Sequence, residues 1–252
     1  MKASGKNRQL LVAAKRKQTF KQHSMTLKYL LTTFFSLFII SLSFGQDTSI
    51  VIKEIEHDLI SYNKTITEIL KDTSLLYLHS LTSFREVIKR NANDDEIEIV
   101  SDIEPGIRIL VQGMVINEKG NSLSDILVYF YHTSDKGWYS DTAVHILKNE
   151  GDHRHSRLFG YAKTDANGKF AIKTIRPNGY PKSDFAAHIH IQMWKEDGTL
   201  LSGVPGELQF DDDVRTTDQR RNKSLSEGFL ISKNMGTKDN PVYNYVIKST
   251  AE

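Results

Sequence analysis

The chain contains no cysteine, and only five prolines in 252 residues. The absence of cysteine excludes a disulfide scaffold, a thiolate-held zinc or iron–sulfur site, a cysteine nucleophile and a lipidated N-terminal cysteine. Acidic residues are missing from one region altogether. Residues 1–46 hold eight basic side chains (Lys2, Lys6, Arg8, Lys15, Arg16, Lys17, Lys21 and Lys28) and no Asp or Glu. The formal net charge of +2 therefore averages two unlike parts, because the remaining residues carry 25 basic against 31 acidic groups, a net of −6. An acidic main part excludes nucleic acid as the default partner. With 39% hydrophobic residues, the chain has enough apolar material to bury one core of ordinary size.

Tyr29–Phe44 is apolar and dotted with Ser and Thr, with Lys28 in front and the small residues Ser43 and Gly45 behind. This is the pattern of a signal peptide over residues 25–45, cut near Gly45. At 16 residues the run is shorter than the ~20 of a membrane-spanning helix. The expected location is secreted or periplasmic, with an uncleaved membrane anchor as the alternative; the membrane is met only through this segment. Met25-Thr-Leu-Lys28 already makes a complete charged start, which leaves residues 1–24 as an upstream extension without structural role.

Residues 46–104 read as a helical segment and linker. Ile50, Ile52, Ile55, Leu59 and Ile60, then Ile66, Ile69 and Leu70, recur at helical spacing with no Pro or Gly between them. Leu75–Ile88 continues as a second helix, and Asn91–Glu96 breaks the pattern. Such a segment packs on the following domain or against a second copy in a homodimer. Residues 105–252 change texture. Candidate strands are Ile107–Ile116, Ile126–His132, Leu158–Lys163, Lys169–Thr174, Ala186–Trp194, Gly228–Ser232 and Val242–Lys248, with Asn167-Gly168 as a hairpin signal. The fold class is mainly β: an antiparallel β-sandwich catalytic domain preceded by a short helical segment.

Four features in this domain are not explained by packing. His188-Ile-His190 lies in an expected strand, where period-2 alternation puts both imidazoles on one face about 6.6 Å apart. Two half-buried histidines on a polar sheet face would show the same spacing. His153-Arg-His155 repeats it in a polar stretch that reads as a loop. Pro177 and Pro181 stiffen a loop around Tyr180, and Gly137-Trp-Tyr139 puts Tyr139 beside a turn. A phenolate is a hard anionic donor, and a trivalent cation can bring a tyrosine well below its ordinary pKa of about 10. Two phenolates and two imidazoles suit Fe(III), leaving it near +1 with an open position.

Gly113-Met-Val115, Asp125-Ile-Leu-Val-Tyr129, Gly137-Trp-Tyr-Ser140, Thr164-Asp-Ala-Asn-Gly-Lys-Phe170, Thr174-Ile-Arg-Pro-Asn-Gly-Tyr-Pro181 and Ala187-His-Ile-His190 occur in one order. In this the chain resembles the catalytic domain of intradiol ring-cleavage dioxygenases, the family of catechol and protocatechuate dioxygenases, over about Gly106 to Asp213. The resemblance implies a β-sandwich and a non-haem Fe(III) held by Tyr139, Tyr180, His188 and His190. It implies a catecholic substrate opened with O₂ between its hydroxyl-bearing carbons, to a cis,cis-muconate-type diacid. Tyr180 would be the ligand displaced by substrate and the base for its proton; Tyr139 would stay bound.

The sequence departs from that family at two points. Phe185 stands where an arginine commonly precedes the histidine pair by three residues, and Arg176 is a candidate replacement cation. Glu207 falls where a glutamine is often found. Two other classes compete: a non-catalytic, transthyretin-like β-sandwich binding module, suggested by Gly113–Tyr129, and a zinc site built from His153, His155, His188 and His190.

Overall fold

The structure is a computed structural model and describes residues 47–140 and 156–250. The expected extension and signal segment, and His153 and His155, lie outside the described residues. The chain divides into two units at Val51–Ile52. Of the smaller unit only residues 47–51 are described, and they begin helix α1 (Thr48–Ile60).

The helical spacing after residue 47 is real, but it is cut into four pieces. Tyr62 takes a φ of 56°, a left-handed backbone that stops α1 without help from Gly or Pro. Thr65 then opens α2 (Ile66–Lys71) through a capping box with Glu68. Asp72 caps a 3₁₀ turn (Thr73–Leu78), and α3 follows (Thr82–Arg90). The Thr65 and Asp72 side chains at the first two junctions offer the backbone an alternative to helix, which apolar spacing alone does not register. Asn91–Glu96, expected as a linker, leads straight into a short strand, β1 (Ile97–Glu98), which joins the sandwich.

Eight more strands follow: β2 (Arg108–Asn117), β3 (Leu127–His132), β4 (Leu158–Lys163), β5 (Lys169–Ile175), β6 (His188–Trp194), β7 (Glu207–Phe210), β8 (Leu230–Ser232) and β9 (Val242–Ser249). They form two sheets, ordered β1-β5-β2-β9 and β4-β3-β6-β7-β8. The β-sandwich is as expected. The pairing is mixed, however: β1–β5, β2–β9 and β7–β8 are parallel, and the other four pairs are antiparallel. Gly168, at φ 72°, turns the chain as expected. It does not close a hairpin within one sheet, because β4 and β5 belong to different sheets.

The sheets meet through their inner faces. Phe210 of β7 packs edge-on against Tyr243 of β9, with centroids 4.7 Å apart, and His132 Nε2 of β3 lies 2.7 Å from Thr174 Oγ1 of β5. In β9 burial alternates residue by residue, whereas β3 and β4 are buried on both faces. The extra cover comes from the helical segment. His79 and Phe84 stack at 5.3 Å, and both meet the Phe159 ring edge-on. Strand β7 and helix α4 (Asp218–Ser226) were not expected from sequence. The first is a four-residue strand directly after Gly203-Val-Pro-Gly206, and the second buries only Ser224, so neither shows an apolar period.

Two buried histidines give the fold a pH dependence. Burial holds His79 and His132 down at about 4, because desolvation penalises the charged ring. The unfolded chain, with histidines near 6.5, takes up these protons first. Stability from both rings is therefore intact above pH 6.5 and is lost as pH falls toward 4. Urea unfolding at pH 7 and at pH 4.5 should differ by about 2–3 kcal/mol per ring. Replacing His132 by Gln should remove its share of that difference.

Candidate metal centre

The register of the five-stranded sheet decides which side chains share its outer face. His190 of β6 pairs with Tyr131 of β3 on one side and with Glu207 of β7 on the other. Tyr131 in turn pairs with Phe159 of β4. Since successive side chains alternate, His188 and Gln209, a second pair in register, lie on the same face. Ile189, Ile191 and Met193 point the other way, into the core between the sheets.

Two loops bring the tyrosines to this face. One, residues 133–140, leaves β3; the other, residues 176–187, enters β6. They are laced together: Thr133 Oγ1 donates to the Asn178 carbonyl at 2.7 Å, and Asn178 Nδ2 donates to the Asp135 carbonyl at 3.1 Å. Gly137 makes this approach possible. Its φ is 76°, and a Cβ there would sit 2.3 Å from the Gly179 carbonyl oxygen. The Tyr139 carbonyl accepts from the Arg157 backbone N–H at 2.9 Å, which ties this loop to the start of β4. Arg157 is itself paired with Glu104.

The structure brings Tyr139, Tyr180, His188 and His190 together at one point. The Tyr139 hydroxyl lies 2.5 Å from the Tyr180 hydroxyl and 2.9 Å from His190 Nε2. The Tyr180 hydroxyl lies 3.2 Å from His188 Nε2 and 3.4 Å from His190 Nε2, and the two Nε2 atoms are 3.1 Å apart. His188 Nδ1 is 2.8 Å from the Ala186 carbonyl, which can only accept. Nδ1 therefore carries the proton, and the Nε2 lone pair faces the cluster.

Four donors at these separations fit a metal ion. Adjacent ligands about 2.1 Å from one first-row ion stand about 3 Å apart, and these five distances run from 2.5 to 3.4 Å. Burial, reinforced by the facing Tyr180 oxygen, holds the Tyr139 phenol far above its ordinary value, and burial likewise raises Tyr180. A cation between the two oxygens would reverse that, since it favours the phenolates. Among the described residues, His188, His190 and Glu207 are the His/carboxylate group close enough to share an ion.

Other sequence candidates fall differently. Arg176 is a structural arginine: it donates to Asp212 at 2.8 Å and lies 3.6 Å over the Phe210 ring. Phe185 is 55% exposed, with its ring 6.1 Å from that of Tyr180 and the Arg220 guanidinium 5.6 Å away. Sequence reasoning missed Tyr131, whose ring stacks on His190 at 4.6 Å and 16°. The alternation Tyr129-Phe-Tyr131 was the available signal.

The outer sheet face of this β-sandwich gathers two phenols and two imidazoles around one point, a donor set that fits a metal ion. The family model described as Dioxygenase matches residues 83–213, just over half of the chain. No curated protein matches at a significant level. Among solved structures, the chain is similar to the dioxygenase domain of a dioxygenase carbohydrate-binding protein fusion from Streptomyces sp. SirexAA-E. The identity is 21% and the TM-score 0.46, covering 62% of this chain and 88% of that one. It is also similar to 3-chlorocatechol 1,2-dioxygenase from Rhodococcus opacus 1CP (21%, TM-score 0.42, 63% and 64%) and to chlorocatechol 1,2-dioxygenase from Pseudomonas putida (13%, TM-score 0.45, 81% and 97%). On the family match, the chain belongs to the intradiol dioxygenase family.

Proposed function

We propose that the chain is an exported non-haem Fe(III) intradiol dioxygenase. It would open the ring of a catecholic compound with O₂, both oxygen atoms ending in a cis,cis-muconate-type diacid. The observation that carries this is the convergence of the Tyr139 and Tyr180 hydroxyls with the Nε2 atoms of His188 and His190. These four residues hold the ion. When bound, Fe(III) supplies the Lewis acidity that makes anions of phenol and catechol oxygens near neutral pH.

The chain's own groups divide the remaining work by burial. Tyr139 is 1% exposed and anchored through its carbonyl to Arg157, so it keeps its place. Tyr180 is less buried and sits on the stiffened loop, where its phenolate oxygen can accept one catechol hydroxyl proton. Phe185 gives the open side an apolar ring against which a flat aromatic compound can lie. With Phe185 in place of an arginine, and Arg176 committed to Asp212, negative charge on the substrate ring is left with weak support. Slow turnover is the expected consequence.

Export rests on the apolar run in residues 25–45, with cleavage near Gly45 and residues 1–24 an upstream extension. Among the described residues no helix is long and apolar enough to cross a membrane. Residues 46–104 supply the helical cover and one strand, and residues 105–252 the catalytic sandwich.

Oxygen uptake and product analysis test the reaction. Iron-loaded protein given catechol in air should consume one O₂ per catechol and form cis,cis-muconate. A transthyretin-like binding module would do neither. A semialdehyde, formed by cleavage beside the hydroxyl-bearing carbons, would overturn the intradiol assignment.

A further inference from the structure

We infer that Glu207 is a positioning residue for the centre: it acts through His190, and its negative charge sets how strongly the bound ion demands electrons. The inference rests on the iron-binding reading above. His188 and His190 are oriented by different means. His188 Nδ1 is fixed by the Ala186 carbonyl. The corresponding Nδ1 of His190 faces Glu207 Oε1 at 4.0 Å, and that oxygen also lies 3.9 Å from His188 Nε2. A side-chain shift of about 1 Å, or one bridging water, completes the hydrogen bond from His190 Nδ1–H.

Glu207 is built into this position. It pairs with His190 in the β6–β7 ladder, and its second oxygen, Oε2, accepts from Gln209 Nε2 at 3.1 Å, which leaves Oε1 toward the imidazoles. Glu207 is 20% exposed, and His190 22%. Tyr131 stacks on His190 from the other side of the row. A carboxylate beside Nδ1 adds a restraint on the ring and raises the basicity of Nε2. It also changes the charge. Two phenolates leave Fe(III) at +1, and one adjacent carboxylate brings the assembly to neutral. A glutamine of the same shape could accept the same hydrogen bond without that charge, which separates positioning from electrostatics.

The experiment compares full-length, iron-loaded wild type with Glu207→Gln and Glu207→Ala. It reads the Fe(III)/Fe(II) midpoint potential, the visible phenolate-to-iron band and the Fe(III) dissociation constant against a competing chelator. Circular dichroism melts establish that each variant is folded. Both variants should show a more positive potential and a band moved to longer wavelength. Glu207→Ala should bind Fe(III) about 10- to 100-fold more weakly, as outer-shell partners of metal-bound histidines do. A Glu207→Gln protein with wild-type potential and wild-type band overturns the inference. A wild-type protein that takes up iron without a phenolate band overturns instead the reading on which it rests.

Discussion

Tyr139→Phe should lose the visible colour of the iron-loaded protein and more than 100-fold of its ring-cleavage rate. The substitution removes one oxygen and leaves the ring. Packing against Tyr131, at 5.9 Å, and against Tyr180, at 5.7 Å, is kept, so the fold should survive. What goes is the hydroxyl that lies 2.5 Å from the Tyr180 oxygen and 2.9 Å from His190 Nε2, the donor that the proposed centre needs as a phenolate. Loss of a direct ligand must exceed the roughly 10- to 100-fold that an outer-shell change costs. Absorption spectra, iron content per chain and initial rates on catechol check it. A variant with full colour would show that Tyr139 is not a ligand.

The second large effect is on stability. Arg85→Ala should destabilise the fold by about 3–5 kcal/mol, read as a lower urea midpoint with an unchanged slope. Arg85 is 3% exposed, and its guanidinium joins the helical segment to the sheet. Nε donates to the His79 carbonyl at 2.6 Å, Nη1 to the Tyr129 hydroxyl at 2.9 Å, and Nη2 to the Ser156 carbonyl. The same group lies 3.7 Å over the Phe159 ring. Alanine takes a buried charged donor away from those acceptors and opens a cavity beside them. Lysine should recover little, since one ammonium cannot reproduce a planar fork that reaches three acceptors at once. A loss below 1 kcal/mol would mean that the helical segment is held mainly by its apolar contacts.

How much of this was legible in the sequence depends on whether a local pattern or a long-range register is involved. Strand β4 falls on Leu158–Lys163 as read, and β2, β3, β5 and β9 within one residue at each end, because each carries a period or a turn at its boundary. The break at Tyr62 was not legible, since it comes from backbone conformation inside an apolar rhythm. The parallel pairing of β2 with β9 was not legible either, because it joins segments more than 120 residues apart. At the centre, His188 and His190 could be placed on one face from spacing alone. Bringing Tyr139 and Tyr180 to them required two loops to touch at Gly137 and Gly179, which no spacing reveals. Glu207 was picked out by the resemblance, but its place beside His190 came only with β7, a strand too short to announce itself.

The central claim is that Tyr139, Tyr180, His188 and His190 bind one ferric ion through two phenolates. Titrating the iron-free protein with Fe(III) while recording visible absorption tests it most directly. A wine-red band that saturates at one ion per chain, and shifts when catechol is added, is the predicted result. Binding of one Fe(III) per chain with no visible band would contradict it.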